Sequence, residues 1–326
     1  METRRPTNPA AEELLGLYFP VLDHGFVSLV DYMGSDEDVE RAARVSYGYG
    51  TRRTSQTRGL IRYLRRHRHT TPSEMVELKF HCAMPMFVAR QWIRHRTASV
   101  NEYSGRYSLL PLLFYRPDRE QVQAQSASNR QGRSGAPLTD VYDEAVARWE
   151  RLRRQAADDY EWLVGRDVAR ELARIDLPVS AYTQWYWKVN FHNLFHFLTL
   201  RVDAHAQYEI RAYGRVMAGI LQRVAPLSFE AWCDYELGGT VLSRAELAAV
   251  RRLVHAADGG LAARDGRVGP EELAALGLSA REVEELLAKL DAPTAPADFT
   301  LDLSQARPAE EFEARMEAAV PRVDQR

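Results

Sequence analysis

The distribution of apolar and polar residues predicts strands and helices from the first third of the chain onwards. Residues 26–33 and 74–84 have the short apolar or alternating patterns of strands, and the second strand is expected to be half-buried. Helices are predicted at 35–47, which begins with a capping signal, and at 56–67, where an apolar face lies among arginines. A proline suits the first turn of a third helix, at 85–96.

The rest of the chain up to residue 224 follows the same two periodicities. Its predicted elements are an extended or loop segment at 98–108, a surface loop at 117–138, a long amphipathic helix at 141–165, a short helix ending near Leu177, a strand at 180–190 and a helical stretch at 191–224 broken near 201–204. The aromatic residues of the segment at 180–190 are typical of a strand.

Strands separated by helices predict an α/β or α+β fold, with a mixed sheet surrounded by helices. Residues 1–25 are interrupted by prolines, so we expect them to form a loosely ordered N-terminal arm. Residues 26–238 are expected to form the principal domain. Residues 239–326 are rich in Ala, Leu, Glu and Arg with glycine breaks, which predicts a separate helical C-terminal extension.

The composition is that of an ordinary globular protein, with 45% hydrophobic and 27% charged residues. Because the formal net charge is only -2, strong non-specific binding to nucleic acid is not expected. Cys82 and Cys233 are too few for a disulfide framework, which indicates a reducing compartment. The polar N-terminus lacks a signal peptide, and no apolar run reaches the roughly 18 residues of a membrane span. We therefore expect a cytoplasmic protein with no membrane partner.

The segment 91–108 concentrates the polar chemistry of the chain. Its ionisable and hydroxyl side chains include Arg94, His95, Arg96, Glu102, Ser104 and Arg106. Guanidinium groups bind phosphate through two parallel hydrogen bonds, and Gly105 allows a ligand to approach the backbone closely. Aromatic and aliphatic residues are interleaved with the charges, which favours a partly buried site over a solvated surface. The segment therefore predicts a receptor for a phosphorylated heterocycle.

Two other clusters have competing interpretations. The arginine-rich segment 52–68 could bind nucleic acid, but several of its arginines lie opposite the apolar stripe of the predicted helix, which favours a solvated helix face. His192 and His196 have the spacing of zinc ligands on one helix face. Asn190 and the fixed cation Arg201 nearby favour an organic polar ligand instead, so no metal is expected.

Arg174 and Arg201 occur in apolar sequence contexts, where an arginine requires a partner. That partner could be an internal carboxylate, such as Asp176 or Asp203, or an anionic ligand. Ser104 could be proposed as a nucleophile, but the sequence shows no base to activate it. These residues by themselves indicate an enzyme or a binding protein for anionic nucleotides.

The motif that begins with Arg94-His95-Arg96 continues with Ser99 and then with residues 101–107, Asn-Glu-Tyr-Ser-Gly-Arg-Tyr. It resembles the signature of the flavin-dependent thymidylate synthases. Further matches occur along the chain in the order of the family, at 42–46 and 69–72 before this motif and at 173–175, 190–192 and 196–207 after it. The resemblance covers roughly residues 26–236, so it would make residues 26–238 the catalytic domain.

The resemblance implies methylation of dUMP to dTMP, with FAD as cofactor, 5,10-methylenetetrahydrofolate as one-carbon donor and NADPH as reductant. It also implies a homotetramer whose active sites are shared between subunits, and chemistry that needs no enzyme nucleophile. Residues 239–326 extend beyond the usual end of the family. An alternative function, independent of the resemblance, is an arginine-rich nucleic-acid-binding or regulatory protein.

By position in the motifs, the resemblance implies two overlapping ligand sites. The residues expected to bind dUMP are Gln91, Trp92, Ile93, Arg94, Glu102, Tyr103, Ser104, Gly105, Arg106, Arg174 and Arg201. Those expected to bind FAD are Ser46, His69, Thr71, Arg94, His95, Arg96, Glu102, Asn190, Phe191, His192 and His196. Arg201 and Ser104 are the candidate catalytic residues. Arg201 would contact the uracil and favour ionisation at N3, while Ser104 becomes a substrate contact.

Overall fold

The computed structural model describes residues 6–45, 57–126, 132–257, 260–263, 266–291 and 298–322. The chain forms two compact units. The first contains residues 1–231 and 299–326, and the second contains residues 232–298. In the described part of the chain, no helix is long and apolar enough to cross a membrane.

The helices and strands alternate along most of the described chain. The helices are α1 (Pro9–Glu12), α2 (Asp36–Arg44), α3 (Thr57–Arg66), α4 (Thr71–Glu74), α5 (Met86–Trp92), α6 (Thr139–Val164), α7 (Arg170–Ala173), α8 (Phe191–Arg201), α9 (Tyr208–Val224), α10 (Pro226–Trp232), α11 (Arg244–Leu253), α12 (Pro270–Ala275), α13 (Ala280–Asp291) and α14 (Ala309–Ala318). The strands are β1 (Tyr18–Val21), β2 (Gly25–Met33), β3 (Glu77–Pro85), β4 (Ser99–Glu102), β5 (Gln123–Gln125), β6 (Arg133–Pro137), β7 (Tyr182–Asn190), β8 (Val254–Ala257) and β9 (Gly260–Ala263).

A five-stranded sheet in the order β1-β2-β3-β7-β4 organises the first unit. All of its neighbouring strands pair antiparallel. The predicted fold class is confirmed, with an antiparallel sheet in place of the mixed sheet that was expected. The long crossover from β3 to β7 returns the chain in the opposite direction, and β4 pairs with the far edge of β7.

Local sequence signals account for several of these elements. The hydroxyl of Ser35 accepts from the N–H of Glu37, and its own N–H donates to Asp38, which fixes the start of α2. The regular 3.6-residue period of the segment 141–165 appears as α6, and the aromatic run at 180–190 as β7. The helical stretch at 191–224 is broken between α8 and α9, as predicted.

Three segments differ from the predictions. The N-terminal arm is ordered from residue 6, because Asn8 caps α1 and β1 pairs with β2. The strand predicted at 74–84 begins only at Glu77, since Pro72 fits the first turn of the short helix α4. The loop predicted at 117–138 contains the hairpin of β5 and β6.

The region after residue 238 is more varied than a helical extension. It contains the hairpin of β8 and β9 between α11 and α12. Its last part, residues 299–326, belongs to the first compact unit. The second unit has its own small core of Ala249, Leu273, Leu278 and Leu286.

The C-terminal segment packs on the β1 edge of the sheet. Arg307 exchanges two backbone hydrogen bonds with Tyr18, at 2.8 and 3.0 Å. The Phe312 ring lies 5.6 Å from the ring of Tyr18 and 4.9 Å from that of Phe26. The N–H of Leu112 donates to the carbonyl of Ala319 at 2.8 Å. The segment therefore extends the sheet and covers aromatic residues at its end.

Aromatic residues fill the face of the sheet that lies away from Phe26. This face is beneath the candidate site. The indole of Trp92 is fully buried and stacks on Phe197 at 4.9 Å. It meets Trp185 and Trp187 edge-on at 5.5 and 5.3 Å. This cluster joins the end of α5 to β7 and α8, and so sets where the residues that follow Trp92 emerge.

Candidate active site

The motif residues after Trp92 lie at the end of α5 and in the connection to β4. Ile93, Arg94 and Arg96 are exposed, whereas the ring of His95 turns inward and is partly buried. Trp92 was predicted to bind substrate, and its buried side chain leaves only its backbone for such a contact. The exposed guanidinium groups of Arg94 and Arg96 are available to an anionic ligand.

A compact turn holds the Ser-Gly-Arg sequence. The carbonyl of Ser104 accepts from the N–H groups of Tyr107 and Ser108 at 3.2 and 3.0 Å. Its hydroxyl accepts from the N–H of Arg106 at 3.3 Å. Among the described residues, no histidine or carboxylate contacts that hydroxyl, so it has no base to make it a nucleophile.

Arg174 lies directly against this turn. A Cβ added to Gly105 would meet the Cδ and Nη1 atoms of Arg174 at 3.1 Å, and the Cδ1 atom of Leu110 at 3.0 Å. A side chain at this position would require Leu110 or Arg174 to shift by a few tenths of an ångström. In the described part of the chain Arg174 forms no ion pair, with Asp176 or any other carboxylate, whereas the guanidinium of Arg106 binds Glu171 at 2.9 Å on the surface.

Arg201, the other arginine from an apolar context, contacts the motif through His95. Its Nε donates to Nε2 of His95 at 3.0 Å. Because arginine is only a donor, His95 is neutral and carries its proton on Nδ1. Burial, the charge of Arg201 and the nearby His196 lower the pKa of His95 to about 4. Burial also lowers the pKa of the Arg201 guanidinium.

A cavity of about 420 Å³ opens beside Arg201. Its lining residues include Gln91, Arg133, His205 and Gln207. Gln91 donates from Nε2 to Oε1 of Gln207. The motif pattern suggested Gln91, but nothing in the sequence indicated that Arg133, from a segment predicted to be a surface loop, would reach this cavity.

The residues predicted to bind FAD gather around the start of α8. Asn190 caps this helix, with Oδ1 accepting from the N–H of Asn193 at 2.9 Å. The Nδ1 atom of His192 is buried and has no partner among the described residues. His196 is exposed, with its ring 5.6 Å from that of His95. The side chain of Phe191 is fully buried in the core, which leaves only its backbone for a ligand.

The remaining predicted residues lie at different distances from this group. Thr71 is exposed in α4, which packs against α8. His69 is exposed beyond the end of α3, with its ring 5.9 Å from that of Tyr63. Ser46 lies outside the described residues.

The end of β4 carries the last two predicted substrate residues. The carboxylate of Glu102 accepts from the hydroxyl of Thr183 at 2.7 Å, which anchors one oxygen and leaves the other to a ligand. The hydroxyl of Tyr103 donates to the carbonyl of Leu109 at 2.7 Å, so its ring supports the turn instead of a ligand.

Residues 28–227 match the family described as thymidylate synthase complementing protein. The chain is 53% identical to a flavin-dependent thymidylate synthase of Gluconobacter oxydans over 292 residues, which are 89% of this chain and 92% of the relative. A second, of Ruegeria pomeroyi, is 51% identical over 81% of this chain and 91% of the relative. The chain belongs to the flavin-dependent thymidylate synthase family.

A solved structure shares the fold of this flavin-dependent thymidylate synthase family member. It is the UMP/dUMP methylase PolB from Streptomyces cacaoi bound with 5-Br UMP, with a TM-score of 0.60 and 35% identity. The match covers 67% of this chain and 98% of PolB, so about a third of this chain has no counterpart in PolB.

Neither cysteine of the chain has the surroundings of a nucleophilic thiol. Complete burial of Cys82 in β3 raises the pKa of its thiol well above the ordinary value. Burial and the nearby Asp234 raise the pKa of Cys233 to about 12. Both side chains therefore remain protonated at neutral pH, whereas a nucleophilic cysteine acts as the thiolate.

The neutral His95 predicts a pH dependence of stability. Its folded-state pKa lies below the unfolded value, so the unfolded chain takes up a proton first as the pH falls. We expect unfolding free energy to fall by roughly 1–2 kcal/mol from pH 7 to pH 4.5, a figure reduced because the ring is only partly buried. Urea unfolding followed by circular dichroism would measure it.

His95→Asn should remove this part of the pH dependence. His205→Asn is a matched control, since that ring is 83% exposed, and should keep the wild-type slope. Equal slopes for wild type and His95→Asn would contradict the assignment.

Proposed function

We propose that this protein converts dUMP to dTMP by reductive methylation, with FAD as cofactor, 5,10-methylenetetrahydrofolate as one-carbon donor and NADPH as reductant. One observation carries the proposal: both arginines from apolar contexts contact the same motif. Arg174 packs on Gly105, and Arg201 donates to His95. The names of the similar proteins, flavin-dependent thymidylate synthase and UMP/dUMP methylase, support this substrate.

The Ser-Gly-Arg turn is suited to the phosphate of dUMP. Gly105 brings backbone close to the guanidinium of Arg174, which forms no ion pair within the described chain. A phosphate at this point would receive a bidentate guanidinium and hydrogen bonds from the turn. Ser104 would donate its hydroxyl to the ligand, because no base is present to remove the proton.

The uracil is suited to the cavity beside Arg201. His95 occupies the Nε donor of Arg201, so the terminal nitrogens remain for the pyrimidine. A fixed cation in a partly buried cavity stabilises negative charge that develops at N3. The neutral state of His95 adds no further positive charge beside Arg201.

FAD fits the group formed by His95, Asn190, His192 and His196, with Thr71 on the adjoining helix. The buried, unpartnered Nδ1 of His192 needs a hydrogen-bond partner that the described residues do not supply. The exposed Arg94 and Arg96 suit the diphosphate of the cofactor. Bound there and reduced by NADPH, the flavin would pass these two electrons on to the reaction. His69 and Ser46 are further candidates.

We also propose a homotetramer with active sites shared between subunits, located in the cytoplasm. Support comes from the exposure of Ile93, Arg94, Arg96 and His196, which a single chain leaves open to solvent. dUMP and the folate would be small-molecule substrates.

The alternative of a nucleic-acid-binding or regulatory surface on the arginine-rich segment has little support. Arg58 and Arg62 both bind Glu230, at 2.9 and 2.6 Å. The guanidinium of Arg65 lies 4.0 Å from the centre of the Phe195 ring. These arginines pair with or pack against other parts of the fold, whereas a solvated helix face was expected.

The direct test is dTMP formation from dUMP with methylenetetrahydrofolate and NADPH, with and without FAD. We expect a yellow protein that releases flavin on denaturation and that is active only with FAD. A colourless protein that gains no flavin spectrum after FAD is added would contradict the proposal.

Gly105→Ala should weaken dUMP binding by about tenfold, equivalent to one charge-assisted hydrogen bond. The new Cβ would approach Leu110, which is buried, and Arg174, which must then move. Calorimetric titration with dUMP would measure the change. Gly59→Ala is a matched control, since its Cβ meets none of the described atoms within 4 Å. Equal affinities for Gly105→Ala and wild type would show that Arg174 does not bind the phosphate.

A further inference from the structure

A chain of polar side chains runs from the buried Glu209 to the candidate uracil cavity. Glu209, at the start of α9, is only 3% exposed. Its carboxylate accepts from the hydroxyl of Tyr115 at 3.0 Å and from Nη2 of Arg133 at 2.6 Å. It also accepts from Nε2 of Gln207 at 2.8 Å. Gln207 in turn meets Gln91.

The charge at Glu209 dictates how both amides are oriented. A carboxylate paired with Arg133 only accepts hydrogen bonds, so Gln207 must turn its NH₂ group towards Glu209. The carbonyl of Gln207 then faces Gln91, and only the NH₂ group of Gln91 can meet it. Consequently the Oε1 atom of Gln91 faces away, and it has no donor among the described residues.

The position of the cavity makes this orientation relevant to a ligand. Gln91 and Gln207 line the cavity beside Arg201, whereas Glu209 and Tyr115 do not. Glu209 can therefore influence a bound molecule through the two amides or through Arg133, which also lines the cavity, and a variant that changes only the amide path separates the two routes.

We propose that Glu209 is a positioning residue that presents the carbonyl of Gln91, and not its NH₂ group, to the nucleotide. The inference rests on the proposed function, because it takes dUMP as the ligand. A carbonyl at this place selects a hydrogen-bond donor. dUMP has two, the hydroxyl of the sugar and the N3–H of the uracil, and two analogues distinguish them.

The substitution Glu209→Gln should reverse the direction of the hydrogen bonds that link residues 209, 207 and 91. Arg133 and Tyr115 are donors, so they hold the carbonyl of the new amide and leave its NH₂ group facing residue 207. Gln207 then turns its carbonyl to that group, and Gln91 presents NH₂ to the cavity. The dUMP donor would meet another donor in this variant.

The experiment compares the dissociation constants of dUMP, its 3′-deoxy analogue and its N3-methyl analogue, measured by calorimetry on the full chain loaded with FAD. In the wild type, one analogue should bind about 5–10-fold more weakly than dUMP, as expected for one lost hydrogen bond. In Glu209→Gln, the ratio of the dissociation constant of that analogue to the dissociation constant of dUMP should fall below about twofold. Tyr115→Phe removes one donor but leaves the charge of Glu209, so it should keep the wild-type ratio.

Gln207→Met provides a second test, because it interrupts the same chain and leaves the buried pair of Glu209 and Arg133 intact. In this variant too, the ratio of the two dissociation constants should fall below about twofold. The test therefore remains available even if Glu209→Gln does not fold. Retention of the wild-type ratio in either variant would overturn the proposal. So would a wild type that binds dUMP and both analogues equally. A wild type that binds no dUMP would contradict the proposed function, and this inference with it.

Discussion

Replacement of Arg201 by alanine is expected to lower kcat/KM for dTMP formation by about 10²–10³-fold, the usual loss when one preorganised donor to a developing anion is removed. The guanidinium has one nitrogen on His95 and its terminal nitrogens at the cavity. Alanine would leave charge at uracil N3 without a cation. Because the predicted flavin contacts lie on other residues, the variant should still purify with FAD.

Two measurements check this expectation: steady-state dTMP formation and the flavin absorbance of the purified protein. Arg211→Ala is a suitable control, because Arg211 follows the same connection and donates to the carbonyl of Ala204 at 2.7 Å, outside the cavity lining. It should keep near wild-type activity. Loss of flavin from Arg201→Ala would assign this residue to the cofactor instead, and full activity would remove it from the mechanism.

Phe312→Ala should reduce the free energy of unfolding by about 3–4 kcal/mol, as for other buried aromatic residues. Phe312 is 4% exposed and belongs to a cluster with Tyr18, Phe26 and Ala83. The substitution would leave a cavity where the C-terminal segment covers the end of the sheet. The expected loss is notable because this segment lies beyond the part of the chain that matches the family model, residues 28–227.

Denaturant unfolding of Phe312→Ala and of a control variant would test this role. Leu303→Ala serves as the control, since Leu303 belongs to the same segment but is 36% exposed, and its loss should be well below 1 kcal/mol. Similar losses for the two substitutions would mean that Phe312 does not anchor the segment.

Much of the fold was predictable because strong periodicity indicates the type of element, although it does not always report burial: Val141 and Leu152 of α6 are 43% and 63% exposed. The apolar face of α6 and the aromatic run of β7 each indicated their element. The hairpin of β5 and β6 was missed, because its Gln-, Ser- and Gly-rich sequence has no buried face. The order of the N-terminal arm was missed because the pairing of β1 with β2, which adds to the local Asn8 cap, joins segments that the local sequence does not connect.

The site residues were predictable as a set, since the motif and its family resemblance brought them together. Their individual roles were less so. Trp92 and Phe191 stand in the motif beside ligand candidates, yet their side chains are fully buried in the core. Neighbours in sequence point in different directions, so a motif identifies a place on the chain and not which side chain faces the ligand.

The sequence by itself determined the family, through the motif around Arg94 and Ser104, and the absence of a reactive cysteine context. Only the tertiary structure decided that His95 is neutral, that Arg174 rests on Gly105 and that Glu209 orients Gln91. Each of these depends on burial and on distances between residues far apart in the chain. Protonation and hydrogen-bond direction are properties of such an environment, and the order of residues does not specify it.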